Sequence, residues 1–235
     1  MNTPELNIKD VDRLTKQLDG DDYKRSMRYA QDLLGGLKKM ESYDQGVTVF
    51  GSHSTRKSDQ YYKQARKLGQ ILAKNDHSVI TGGSGGIMEA ANRGAFEGGG
   101  TSIGLNIKLP TEQSVNPFVT DSFEFHYFFA RKVILVASAK AWVFFPGGFG
   151  TLDEVSEVLT LIQTGKVPPA PVILFGSDFW SKFDDFCYKT MQKSFKTIRP
   201  NDRRLYTITD DIDIVIGMVN SISTRKVHGV IQNML

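Results

Sequence analysis

From Val47 onward, short apolar runs alternate with segments whose apolar residues recur at helical spacing, and small or glycine-rich turns follow several of the runs. That rhythm constrains the fold more than any other feature. Strands alternating with helices define βαβ units on a parallel sheet. The pattern predicts strands at 47–50, 78–81, 101–105, 123–125, 141–145 and 172–175, with a last one at 206–208. Helices are predicted over 60–74, 86–97, 129–137, 151–164 and 179–194, and from Asp210 or Asp211 through Val219. Residues 141–145 are apolar throughout, as in a strand buried on both faces. The expected fold class is α/β: a doubly wound, Rossmann-like, mostly parallel sheet with helices on both faces.

Three strands run into small or glycine-rich segments: FGSHS (50–54), TGGSGGIMEAANRGA (81–95) and PGGFGTLDE (146–154). Each lies at a strand-to-helix turn, on the carboxyl edge of the sheet, where open α/β folds bind ligands. Glycines admit close approach of a ligand to the backbone, and a helix start offers unpaired N–H groups and the positive end of a dipole. Gly147, Gly148, Phe149, Gly150 and Thr151 are therefore expected to hold an anion, phosphate first. Ser52, Gly82 and Gly83, on the other two turns, extend the site to nucleotide size. A Walker A loop would need Gly-Lys-Ser/Thr, which is missing, and the turn after the first strand has one glycine, so a dinucleotide fingerprint fails as well.

Charged residues flank these turns. Asp153 and Glu154 fall in the first turn of the helix after PGGFGT, beside the expected anion. Carboxylates there suit work on a sugar or a water, including stabilisation of an oxocarbenium-like centre. Arg131 and Lys132 start another helix, where cations oppose the dipole, so they are expected to answer an anion or a partner carboxylate. Glu89 belongs to the rim of the site or to the helix surface. His53, His77, His126 and His228 show no metal-ligand spacing and no cysteine cluster exists, so no metal is expected. His53 lies in a strand-end turn; the other three read as surface or packing residues. Cys187 reads as a buried thiol on an apolar helix face.

Residues 8–40 have a different texture. They are charged, with Val11, Leu14 and Leu18, then Met27, Ala30, Leu33, Leu34 and Leu37, at helical spacing. Two short amphipathic helices are expected, separated at Asp19-Gly20-Asp21. The chain thus divides into a helical extension, 1–43, that covers part of the domain or a subunit contact, and a Rossmann-like nucleotide-binding catalytic domain, 44–235. A chain of 235 residues suits one core with a small appendage. No run approaches the roughly 20 apolar residues of a membrane span. The lone cysteine and the lack of a basic, then apolar N-terminal segment fit a cytoplasmic protein. A net charge of +3, with basic residues scattered in pairs, argues against a nucleic-acid partner.

PGGFGTLDE together with Arg131-Lys132 resembles the signature of the Lonely guy family, the cytokinin riboside 5′-monophosphate phosphoribohydrolases, many of which carry a lysine decarboxylase label. TGGSGGIMEAANRGAFEGGG, SIGLNIKLPTEQ and LTLIQTGK look like the longer bacterial branch, and the likeness runs from about 47 to 180. The resemblance implies hydrolysis of the N-glycosidic bond of a nucleoside 5′-monophosphate to free base and ribose 5-phosphate. It also implies a homodimer with no metal or organic cofactor. By the same likeness Arg131 and Glu154 are catalytic, Gly147 to Thr151 hold phosphate, and Glu112 and Lys132 contact substrate. Asp153 stands where plant members usually carry glutamate. A decarboxylase would need pyridoxal phosphate on a lysine, and the strand-end loops place none for that role. Two other classes share the core. One is the molybdenum-cofactor carriers, which bind a phosphorylated pterin on the same edge; the other is single-stranded DNA-processing proteins, which call for a continuous basic stripe. The pairing of Arg131 with Glu154 favours the enzyme.

Overall fold

A computed structural model describes residues 11, 13, 15–43, 46–109 and 114–222. Seven strands form one parallel sheet: β1 (Val47–Phe50), β2 (Val79–Thr81), β3 (Ser102–Ile107), β4 (Asp121–Phe125), β5 (Ala141–Phe144), β6 (Val172–Phe175) and β7 (Thr207–Thr209), in the order β4-β3-β2-β1-β5-β6-β7. The connections are made by α2 (Gln60–Lys74), α3 (Ile87–Glu97), α4 (Phe128–Ala137), α5 (Phe149–Gln163) and α6 (Ser177–Asp185). Helix α1 (Gly20–Met40) precedes them and α7 (Ile212–Asn220) follows. Winding proceeds outward from β1 in one direction and from β5 in the other. The switch point therefore falls between these two strands, which pair from Val47↔Ala141 to Phe50↔Phe144.

Successive side chains on a strand point to opposite faces, so each central strand feeds two cores. Thr48 and Phe50, Trp142 and Phe144, and Val172 and Leu174 face the layer formed by α1, α4, α5 and α6. Val47 and Val49, Ala141 and Val143, and Ile173 and Phe175 face α2, α3 and α7. This is the doubly wound α/β fold that the strand rhythm predicts. The Trp180 indole donates to the Phe144 carbonyl at 3.0 Å, which ties α6 to the end of β5.

Two differences from the sequence reading stand out. The second half of the helix predicted at 179–194 is a π-helix, Phe186–Ser194, with Cys187 buried on it. Apolar spacing over nine residues does not separate that wider winding from an α-helix. The break expected at Asp19-Gly20-Asp21 falls there, at the start of α1, whose Asp19 side chain accepts from the backbone of Asp21 and Asp22 at 3.0 and 2.9 Å. On α1 itself, Met27 and Leu34 are exposed. The fully buried residues are Asp32, Gly36 and Met40, while Leu33 and Leu37 of the expected face pack against the core beside them. A Cβ on Gly36 would come within 2.7 Å of Ile134 and 2.8 Å of Phe125, so α1 lies close against α4 and β4. Among the described residues no helix is long and apolar enough to cross a membrane.

Candidate active site

A cavity of about 400 Å³ opens at the carboxyl ends of β1, β2 and β5, over the switch point. Its walls come from the turn after β1 (Gly51 to Ser54), Gly82 after β2, the first turns of α4 and α5, and Met88. The three turns are stitched together by backbone: Ser52 N donates to the Pro146 carbonyl at 3.1 Å, and Ile87 N donates to the Ser52 carbonyl at 2.9 Å. Ser52, Gly82, Arg131, Lys132, Gly148, Phe149, Gly150, Thr151, Asp153 and Glu154 are all brought to this one space.

The glycines differ in what they do. Gly83 and Gly86 have φ of +72° and +63°, where other residues are strained. Any Cβ on Gly86 would also collide with the Ser52–His53 backbone. Those two serve the turns themselves, and Gly83 does not line the cavity. Gly147 is also outside the lining; it makes room for the buried Thr151 side chain, which a Cβ there would strike. Gly148 and Gly150 stand apart. Each has nothing within 4 Å of a would-be Cβ and neither has a left-handed backbone, so no contact among the described residues requires glycine there. No side chain caps α5, and its first turn lines the cavity. The N–H groups that a helix start leaves unpaired are thus available to an anion in that open space.

Arg131 and Glu154 carry the electrostatics. Arg131 is half-buried, and its Nε, which is fully buried, has no hydrogen-bond partner among the described residues. Burial lowers its pKa, and the charge of Glu154 acts against that. Its guanidinium occupies the space beside Gly82 that a side chain at that position would take. Burial pushes Glu154 up to about 7; Arg131 holds it down in part, while Asp153 raises it further. Beside them, Lys132 Nζ lies 2.9 Å from Asp153 and 3.4 Å from Glu157. Burial lowers the Lys132 pKa, yet these carboxylates outweigh it and leave the ammonium raised overall. Lys132 and Asp153, read from the sequence as substrate contacts, are thus partners of each other.

Not every predicted residue arrives here. The Glu89 carboxylate accepts from the Tyr62 hydroxyl at 2.8 Å and pairs with Lys57 at 2.9 Å, away from the cavity lining. Glu112 lies outside the described residues. His53 does line the cavity. His77 bonds Asn220 at 2.8 Å, His126 sits on Asp32, and His228 lies outside the described residues. The sequence reading missed Glu157; the aromatic run 126–129 reads by pattern as core more often than as a base-stacking platform, and the structure puts Phe128 at the cavity. Phe128 is 57% exposed at the cavity, near the 92% exposed Phe149 in the same lining. Exposed aromatics in first helical turns were the available signal. Glu157, one helical turn beyond Asp153 and Glu154, follows from the i, i+3 and i, i+4 rule.

A parallel doubly wound sheet, with an uncapped glycine-bearing helix start and an arginine–carboxylate pair over its switch point, defines an α/β protein with a nucleotide-type site. The model of a family described as "Possible lysine decarboxylase" matches residues 88–219, more than half of the chain, and the chain belongs to that family, the Lonely guy group its motifs resemble. It is 31% identical to probable cytokinin riboside 5′-monophosphate phosphoribohydrolase LOGL9 of Oryza sativa subsp. japonica, over 77% of this chain and 79% of that protein. It is 25% identical to the cytokinin riboside 5′-monophosphate phosphoribohydrolase of Rhodococcoides fascians, over 74% of this chain and 89% of the relative. Among solved structures, the molybdenum cofactor carrier protein of Chlamydomonas reinhardtii superposes with a TM-score of 0.55 at 25% identity, over 75% of this chain and 96% of the carrier.

Proposed function

We propose that this protein hydrolyses the N-glycosidic bond of nucleoside 5′-monophosphates of the cytokinin riboside or AMP type, releasing free base and ribose 5-phosphate. One observation carries the reading. A carboxyl group with its pKa at about 7, Glu154, shares a cavity with a half-buried arginine and with a helix start whose glycines leave room for an anion. Related proteins named phosphoribohydrolases support it.

In this mechanism the phosphate sits at the start of α5, against Gly148 to Thr151, and supplies remote binding energy that positions the ribose. The C1′–N bond breaks with its electron pair going to the base, and positive charge grows at C1′. Ionised Glu154 stabilises that charge, accepts the proton of the attacking water and leaves oxygen bonded to C1′. The departing base takes up one proton. Arg131, a fixed cation beside Glu154, keeps part of that carboxyl population ionised near neutrality and contacts the phosphate or the leaving base. Lys132, drawn from Asp153, adds charge for the phosphate, and Glu112 is a further substrate contact implied by the motif likeness. The same reading has the protein acting as a cytoplasmic homodimer with neither metal nor organic cofactor.

Decarboxylation, the chemistry in the family's description, would need an imine-forming lysine with a lowered pKa. Lys132 lines the cavity and has the opposite shift. A carrier of a phosphorylated pterin is the second reading, favoured by the superposition on the molybdenum cofactor carrier. A carrier, however, has no use for a carboxyl poised near neutrality beside an arginine. The two separate in one assay, in which purified protein is incubated with a panel of nucleoside monophosphates and free base is followed. Release of base by the wild type, with Glu154→Gln and Arg131→Ala each slowed by about a hundredfold or more, is expected. If no monophosphate is cleaved, or if both variants keep full activity, the hydrolase reading fails.

A further inference from the structure

Helix α4 carries Arg131 and Lys132 near its start, yet that start lacks the usual supports. Its first turn contains no acidic residue, and Tyr127 at the cap position makes no side-chain bond to it. Two cations close to an uncapped N-terminus oppose the helix dipole. The missing carboxylate comes from another element. Asp32, on α1, is 2% exposed. Its Oδ2 accepts from His126 N at 2.7 Å and from Tyr127 N at 3.0 Å, and its Oδ1 lies 3.0 Å from His126 Nδ1. Asp32 therefore occupies two backbone donors on the approach to α4 and sets a negative charge at the positive end of its dipole.

The approach of α1 is close enough to make this contact stiff. Gly36, one turn along, packs against Ile134 of α4 and Phe125 of β4, where any Cβ would need both to move. At the other side of the site, the Arg131 guanidinium is wedged beside Gly82 and Met88. Arg131 is thus held between the β2 turn and a helix whose start is fixed from α1. We propose that Asp32 is a positioning residue for Arg131: α1 caps α4 from outside, and so sets where the guanidinium stands relative to Glu154. The consequence for turnover rests on the phosphoribohydrolase reading; the hold on α4 does not.

Two variants test it. Asp32→Asn keeps an acceptor oxygen for the two backbone N–H groups, while Asp32→Ala removes it. Both are assayed well below their unfolding midpoints with AMP, and amide hydrogen exchange is followed in parallel. Asp32→Ala is expected to lower kcat about tenfold with KM changed less than about threefold, because a displaced catalytic group harms the transition state more than ground-state binding. Asp32→Asn is expected to recover kcat to within about threefold of wild type. Exchange at 126–132 is expected to accelerate about tenfold in Asp32→Ala while β5 stays as protected as in wild type. Wild-type kcat together with wild-type exchange in Asp32→Ala would overturn the proposal, as would faster exchange spread evenly over the sheet. Should the wild type release no base from any monophosphate, the hydrolase reading falls, and exchange at 126–132 alone decides whether Asp32 holds α4.

Discussion

Arg131 and Gly82 share one position in the site: the guanidinium Nη2 fills the volume that a Cβ on residue 82 would occupy, with Met88 Sδ 2.9 Å from the same point. Glycine after β2 is there for the arginine of α4. Gly82→Ala should therefore displace Arg131. The expected outcome is a fall in kcat/KM for AMP of about tenfold or more, as small displacements of a catalytic group produce. Steady-state kinetics on the folded variant checks it.

Glu154 ties activity and stability to pH in opposite senses. Its folded pKa of about 7 stands above the ordinary glutamate value of 4.5. Below about 4.5 the group is protonated in both folded and unfolded chains. Between there and about 7 the unfolded chain ionises first, so the stability associated with the neutral buried carboxyl is lost as pH rises. Glu154→Gln should match wild type near pH 4.5 and gain on it up to pH 7, by on the order of 2–3 kcal/mol at the plateau. Urea denaturation at several pH values reads this. Since the ionised form does the chemistry, kcat/KM of the wild type should rise through about pH 7.

Asp153 is a restraint on Lys132. The pair lies 2.9 Å apart with Asp153 60% exposed, so its energy is small. Asp153→Asn removes one negative charge from beside the proposed phosphate position and frees Lys132 from one of its two carboxylates. A fall in KM for AMP of about two- to fivefold is expected, with kcat little changed. An increase in KM would show that Asp153 itself binds the substrate.

Gly148 and Gly150 separate the needs of the fold from those of a ligand. Nothing among the described residues obstructs a side chain at either position, and Gly150 lies inside the first turn of α5. Gly150→Ala should stabilise the protein by roughly 0.5–1 kcal/mol through helix propensity alone. The same variant should raise KM for a nucleoside monophosphate about tenfold, because the methyl group enters the anion's space. Paired thermal melts and kinetics test both halves.

The sheet was legible because buried parallel strands are written as local apolar runs, and the five central strands lie within a residue or two of where those runs place them. The site was legible where its chemistry is also local, in PGGFGTLDE and Arg131-Lys132. What escaped was pairwise and long-range. The two glycine-rich turns look alike in sequence, yet Gly86 answers the Ser52–His53 backbone, Gly82 answers Arg131, and Gly148 and Gly150 answer nothing among the described residues. The partner of Arg131-Lys132 was expected to be an anion or a carboxylate; for Lys132 it is Asp153 and Glu157, 21 and 25 positions on. Asp32 was invisible because an acid amid a helical apolar stripe reads as solvated until the backbone donors of His126 and Tyr127 are brought to it, 94 and 95 residues away.

The most direct measurement compares AMP with adenosine as substrates for the wild-type protein, following adenine release. In the proposed mechanism the phosphate at the start of α5 supplies the binding energy that places C1′ against Glu154, so kcat/KM for AMP should exceed that for adenosine by about a thousandfold or more. Equal cleavage of the two, or release of adenine from neither, would contradict a phosphate-anchored hydrolase.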